Sequence, residues 1–211
     1  MRIAILNETS AADKNSDILA ALEGRGHTLI NAGMRENGAQ PELTYIHTGL
    51  LTALFLNLGA ADFVVGGCGT GQGYLNAAMQ YPGVFCGHIM TTLDAWLFTQ
   101  INGGNCISLM LNQGYGWASD INLRMIFDAL FSVESGKGYP SHRQVSQRES
   151  RQILNQVSEA THLSMAEILT TLPDEVLKPA FTYPGLFTNL KFEALPDTPL
   201  KQAIQKWRGK P

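Results

Sequence analysis

The chain has 211 residues, 45% of them hydrophobic and 16% charged, which suits one globular domain, or one domain with an appendage, and supplies enough apolar material for a core. Fifteen Lys and Arg against eighteen Asp and Glu give a formal net charge of -3; no cationic surplus is left to neutralise a phosphate backbone, so nucleic acid is not an expected partner. The longest apolar runs, Leu50 to Leu58 among them, fall short of the roughly 20 residues a bilayer span needs. Met1 leads into the short apolar segment Ile3 to Leu6 without the basic start and long apolar stretch of a signal peptide, which points to a cytoplasmic setting. Cys68, Cys86 and Cys106 are too few and too scattered for a disulfide framework. The five histidines (His27, His47, His88, His142, His162) show no H-x-x-x-H spacing; no metal site and no cofactor are expected.

Short β-rich runs alternate with helical stretches over the first 130 residues, the pattern of a parallel sheet covered by helices. Arg2 to Asn7 reads as a buried strand and Asp13 to Arg25 as a helix ended by Gly26. His27 to Asn31 is a second strand, residues 35 to 42 a loop, and Thr44 to Leu58 a strongly apolar helix. Asp62 to Gly66, Val84 to His88 and Cys106 to Leu109 complete five strands, with helices at Leu75 to Gln80, Leu93 to Thr99 and Ile121 to Phe131. The expected fold is α/β: a Rossmann-like α/β/α sandwich on a five-stranded parallel sheet. Composition changes at residues 135 to 140, so the first unit is placed at 1–145 and a helical C-terminal extension at 146–211. In the extension, Ser146 to Glu159, Ser164 to Leu172 and Leu200 to Trp207 read as helices, Ser164 and Glu167 match a capping box, and Pro179, Pro184, Pro196 and Pro199 break the remainder into short pieces.

Gly66-Gly-Cys-Gly-Thr-Gly-Gln-Gly73 stands where the third strand hands over to a helix. Its alternate glycines let backbone approach a ligand, and N–H groups at a helix start favour an anion. The spacing is neither G-x-G-x-x-G nor a P-loop, so dinucleotides and ATP are poorly supported. Cys68 turns the loop into a candidate proton-transfer site, since a thiol near a helix N-terminus is acidified.

Cys68-Gly-Thr-Gly-Gln-Gly73, with Asn76-Ala-Ala78 and Pro82-Gly-Val84 after it, resembles the C-G-T-G-x-G…A-A-N-K…P-G-I/V segment of the ribose-5-phosphate isomerase B and galactose-6-phosphate isomerase family. Tyr45-Ile-His47, Asn102-Gly-Gly-Asn105 and Arg143-Gln-Val145 lie where further family segments would, and the resemblance covers residues 1 to about 145. It implies an aldose–ketose isomerase, an intramolecular oxidoreductase that moves a proton between C1 and C2 through a cis-enediolate. Cys68 would be the base, Thr70, Gly71 and Gly73 would form the anion hole for the enediolate, Gly69 would bind substrate beside them, and the site would be shared between two subunits of a homodimer, or of a tetramer. Glu8, Asn102 and Asn105 would position hydroxyls, with Thr9, Tyr45, His47 and Arg143 completing the substrate site. Three departures bear on the substrate. Glu8-Thr9 stands for the family's Asp-His, Ile101 for the ring-opening histidine, and Asn112 for an arginine after the fifth strand. Arg143, with His142, is what remains of the cationic phosphate clamp.

A pentose or hexose phosphate is therefore the first expectation, and an isomerase of unphosphorylated sugars or a non-catalytic carbohydrate-binding protein the alternatives. Retention of Cys68 speaks against the last, since a binding module needs no thiol base. Phe181, Tyr183, Phe187 and Phe192 lead to the expectation that the extension packs on a neighbouring molecule.

Overall fold

The computed structural model describes residues 1–209; residues 210 and 211, the end of the expected extension, lie outside them. Five parallel strands, β1 (Arg2–Asn7), β2 (Thr28–Asn31), β3 (Phe63–Cys68), β4 (Cys86–Ile89) and β5 (Cys106–Met110), lie in the order β2-β1-β3-β5-β4. Side chains alternate across a strand, and the alternation divides the core in two. Ala4, Leu6, Val64 and Cys106 face one layer, Ile3, Ile5, Val65 and Ile107 the other. Helices α2 (Tyr45–Asn57) and α3 (Gln72–Ala78) cover the first face; α1 (Asn15–Leu22), α4 (Thr92–Leu97) and α5 (Ser119–Phe131) cover the second. This is the three-layer sandwich the sequence predicts. Among the described residues no helix is long and apolar enough to cross a membrane.

Several elements depart from the sequence-based expectation. The first helix is shorter, because the Glu8 carboxylate accepts from Ser10 N–H and starts a 3-10 turn over Thr9–Lys14 before α1 begins. At its far end Gly24 takes φ 75° and Arg25 Nε turns back to the Ala21 carbonyl at 2.7 Å, so the helix stops before Arg25. Strand β3 runs two residues past Gly66, and a Cβ at Gly66 would lie 2.1 Å from the Tyr74 ring, so the glycine gives α3 its close seat on the sheet.

The extension holds α6 (Gln144–Thr161), α7 (Met165–Thr171), α8 (Asp174–Thr182), α9 (Leu186–Asn189) and α10 (Pro199–Arg208). Phe181 and Phe192 are 3% and 1% exposed and share one apolar cluster with Leu50, Leu54 and Val64 of the sandwich. The expectation that these aromatics pack on another molecule is therefore corrected: they cover α2 of their own chain. That explains why α2 is apolar all round, being enclosed between the sheet and the extension. Pro179 does not break the chain either, since it sits inside α8. A proline lacks the N–H that would bond the carbonyl four residues back; that carbonyl, Glu175, instead accepts from His47 Nε2 at 3.0 Å. Among the α-helices of the described residues, α6 alone buries none of its side chains, leaving Val145, Ile153, Leu154 and Val157 exposed on one amphipathic helix.

Candidate active site

Strand order changes direction between β1 and β3, where α/β sheets leave a crevice at the carboxyl ends of the strands. Both chain segments that the glycine-loop reading brings together end there. β1 delivers Glu8, Thr9 and Ser10; β3 delivers Cys68 and the loop Gly69 to Gly71, after which α3 begins at Gln72. Cys68 is 6% exposed and Glu8 3%, while Thr70 is open to solvent.

Hydrogen bonds hold the loop at every turn. Gly69 N–H donates to Ser10 Oγ at 3.0 Å, and Ser10 Oγ–H donates to the Glu8 carboxylate. The Gly69 carbonyl accepts from the Asn112 and Gln113 amides at 3.0 and 2.8 Å, and the Asn112 side chain donates to the Ser10 carbonyl at 2.7 Å. Gly71 N–H donates to the Cys68 carbonyl at 3.2 Å. The Thr70 carbonyl accepts from His88 Nε2 at 3.0 Å, and the Gly71 carbonyl accepts from Ser108 Oγ. Gly71 has φ 77°, and a Cβ on it would meet His88 Nε2 at 2.6 Å, so only glycine fits. Burial pushes the Glu8 carboxyl above its ordinary range, helped by Glu42, while the two hydrogen bonds from Ser10 pull the other way. The amides of Gly71, expected in the anion hole, and of Gly69, expected to bind substrate, are thus already spent within the fold. The hydroxyl oxygen of Thr70, a residue open to solvent, accepts from Gln72 N–H at 3.3 Å and keeps its own hydrogen to donate.

The other expected site residues fall into three groups. Tyr45 is 42% exposed and flanks Gly73, where an added Cβ would lie 3.1 Å from its ring; Thr9 lies at the end of β1, its amide on the Leu43 carbonyl at 2.8 Å. Two residues are used up structurally. His47 Nδ1 accepts from Thr44 N–H at 2.9 Å to cap α2, and Nε2 holds Glu175, so neither ring nitrogen is free for a substrate. Asn105 clamps the turn before β4, donating to the Gly83 carbonyl at 2.7 Å and accepting from Phe85 N–H at 2.9 Å. Asn102 and Arg143 form the third group, and they lie far from the loop. With Ile101, Cys86 and Arg151 they line a groove of about 770 Å³ at the amino ends of β4 and β5. A five-residue strand rising ~3.3 Å per residue separates this groove from the carboxyl ends by roughly 15 Å. Arg151 is spent there on the Ile101 and Gly136 carbonyls, whereas Arg143 is exposed.

Sequence reasoning missed Ser10, Ser108 and the Asn112 clamp, and left His88 among unassigned imidazoles; only its position at the end of an expected strand marked it. Tyr115 donates to Asp17 at 2.6 Å and Tyr139 packs edge-on against Trp96. Among the described residues no three His, Cys, Asp or Glu side chains converge as a metal would require.

The family model described as Ribose/Galactose Isomerase matches residues 3–147. A 4-deoxy-L-threo-5-hexosulose-uronate ketol-isomerase, solved with a tartrate, is 37% identical, with a TM-score of 0.89 over 99% of this chain and 97% of that one. A ribose-5-phosphate isomerase of Vibrio parahaemolyticus is 38% identical, with a TM-score of 0.89 over 98% and 97%. A ribose-5-phosphate isomerase of Thermotoga maritima, at 22% identity and a TM-score of 0.55 over 70% and 97%, shares the fold. No curated protein sequence matches the chain. Near-full-length agreement with the first two structures extends through α7 to α10, beyond the part the family model describes. The chain is therefore a sugar isomerase and belongs to the ribose/galactose isomerase family.

Proposed function

We propose that this sugar isomerase interconverts the aldose and ketose forms of an open-chain sugar acid, with Cys68 as the proton-transferring base. The observation that carries the reading is the placement of a nearly buried thiol at the tip of β3, under a glycine loop whose backbone is held on all sides. Cys68 as thiolate takes the proton from C2 of the aldose, the electron pair moves into the C1–C2 bond, and the aldehyde oxygen becomes an enediolate oxygen. The proton then passes from O2 to O1, and the thiol returns its own proton to C1. Charge develops on the oxygens, where the Thr70 hydroxyl and the Gly73 amide at the start of α3 act as donors that need no reorganisation. Glu8 holds the loop through Ser10.

The acid is favoured over a phosphate ester by the cations. Arg151 is committed to carbonyls, which leaves the Arg143 guanidinium in the groove, a fork that matches one carboxylate. Ile101 cannot transfer the proton that opens a sugar ring, which suits a substrate that is already linear. The 37%-identical relative acts on a hexosulose uronate. A sugar phosphate is the second reading, favoured by the 38%-identical relative. Because Arg143 and Asn102 lie at the opposite end of the sheet from Cys68, we read the site as shared across a homodimer, with the apolar face of α6 in the interface.

The test is deuterium exchange at C2 of the aldose, or C1 of the ketose, in deuterated water, followed by NMR, over uronate-derived sugars, sugar phosphates and free sugars. Exchange with a sugar acid that Cys68→Ala lowers by about 10²-fold or more supports the reading; exchange confined to phosphates selects the second, and binding without exchange defeats both.

A further inference from the structure

We propose that His88, with Ser108 beside it, is a positioning residue for this reaction, setting the direction in which the glycine loop presents its donors. The inference rests on the isomerase reading above and adds to it a pair of residues outside the loop.

His88 on β4 and Ser108 on β5 are register partners, so their side chains leave the sheet on the same face. That face carries Cys106, which contacts Tyr74 of α3. The two side chains take two consecutive carbonyls of the loop: His88 Nε2–H donates to Thr70 at 3.0 Å, and Ser108 Oγ–H donates to Gly71. In a planar trans peptide the carbonyl and the next N–H point in opposite directions. Drawing the Thr70 carbonyl toward β4 therefore turns Gly71 N–H back to the Cys68 carbonyl, at 3.2 Å. Drawing the Gly71 carbonyl toward β5 turns Gln72 N–H away from the sheet, beside Thr70 Oγ1 at 3.3 Å. Gln72 N–H thus donates to the hydroxyl of the exposed Thr70, which keeps its own hydrogen to give.

Left to itself this loop has little to hold it. Three of the five residues from Gly69 to Gly73 are glycine, and glycine visits both signs of φ at similar cost. Ser10, Asn112 and Gln113 fix Gly69; of the two peptide units after it, the Gly71 carbonyl is shared between Ser108 and the Leu75 amide of α3 at 3.1 Å, while the Thr70 carbonyl is taken by His88, with the amide of the same unit on Cys68. A flip of either unit would turn a carbonyl toward the developing negative charge. The fit is mutual, since His88 stands where a Cβ of residue 71 would be.

The experiment measures kcat and KM of wild type, His88→Ala, His88→Gln and Ser108→Ala on the best exchanging sugar, together with amide hydrogen exchange at Gly71 and Gln72. His88→Ala is expected to lower kcat by about 10- to 100-fold with KM within about threefold, and to speed loop exchange at least about tenfold. His88→Gln, which keeps a donor in place, recovers kcat to within about threefold of wild type. Ser108→Ala removes only a hydroxyl and reads the same brace should His88→Ala not fold. Wild-type kcat and unchanged loop exchange in Ser108→Ala and His88→Ala overturn the proposal, as does a His88→Gln enzyme no better than His88→Ala. If wild type turns over no sugar, the isomerase reading fails by itself, and loop exchange alone decides whether the brace exists.

Discussion

The two ends of the sheet are built differently. At the carboxyl end, Gly69, Thr70 and Gly71 are held by Ser10, Asn112, His88 and Ser108 from three different strands or the segments that follow them. At the amino end, Asn102 and Arg143 stand exposed on a wide groove beside the uncovered apolar face of α6. On the proposed reading, the contrast separates chemistry from recognition. A proton transfer needs donors fixed before the reaction begins, since reorganisation would cost rate, whereas substrate binding tolerates groups that are ordered when a second surface arrives.

The widest test of this contrast mixes subunits. Cys68→Ala and Arg143→Ala are each expected to depress kcat/KM strongly, yet a 1:1 mixture, exchanged at low concentration and assayed below KM, should recover roughly a quarter of wild-type activity, because half the dimers then carry one intact site. Recovery no greater than the average of the two variants would place the whole site in one chain. At the held end, Gly71→Ala forces a Cβ onto His88 and into the left-handed region; kcat should fall by about 10²-fold, with a stability loss of about 2 kcal/mol read from urea melts. Phe192→Ala sharpens the contrast from outside: it opens a cavity in the cluster shared by the extension and α2, costing about 3–5 kcal/mol of stability while kcat stays at the wild-type value.

The smallest effect is a pH slope. Because burial raises the Glu8 carboxyl above its ordinary 4.5, the native chain holds a proton that the unfolded chain has released, and stability falls as pH rises from about 4.5 through the raised value. Glu8→Gln carries no such proton. Its stability relative to wild type should increase across that window in urea melts run from pH 4 to 7.

Much of the fold was legible because its signals are local. β1 was read at its observed limits, the end of β3 was read two residues short because Gly67 and Cys68 look like the start of the glycine loop, and the Ser164–Glu167 capping box starts α7 as expected. The glycine loop was legible for the same reason. His47 was not: its ring is committed by a proline more than a hundred residues away, whose missing N–H frees the Glu175 carbonyl. The extension's aromatics were read correctly as needing cover, but which surface covers them is a question of chain path.

By itself, then, the sequence determined the number of strands, the glycine loop with its thiol, and the membership that its motif spacing implied, since each depends on residues within a few positions of one another. Tertiary structure decided the rest. Only the insertion of β5 between β3 and β4 brings His88 and Ser108 side by side under the loop, and only the return of the chain across α2 buries Phe181 and Phe192. Such contacts join residues distant in sequence, so their geometry depends on the order in which strands and helices pack, and no local pattern of residue types encodes that order.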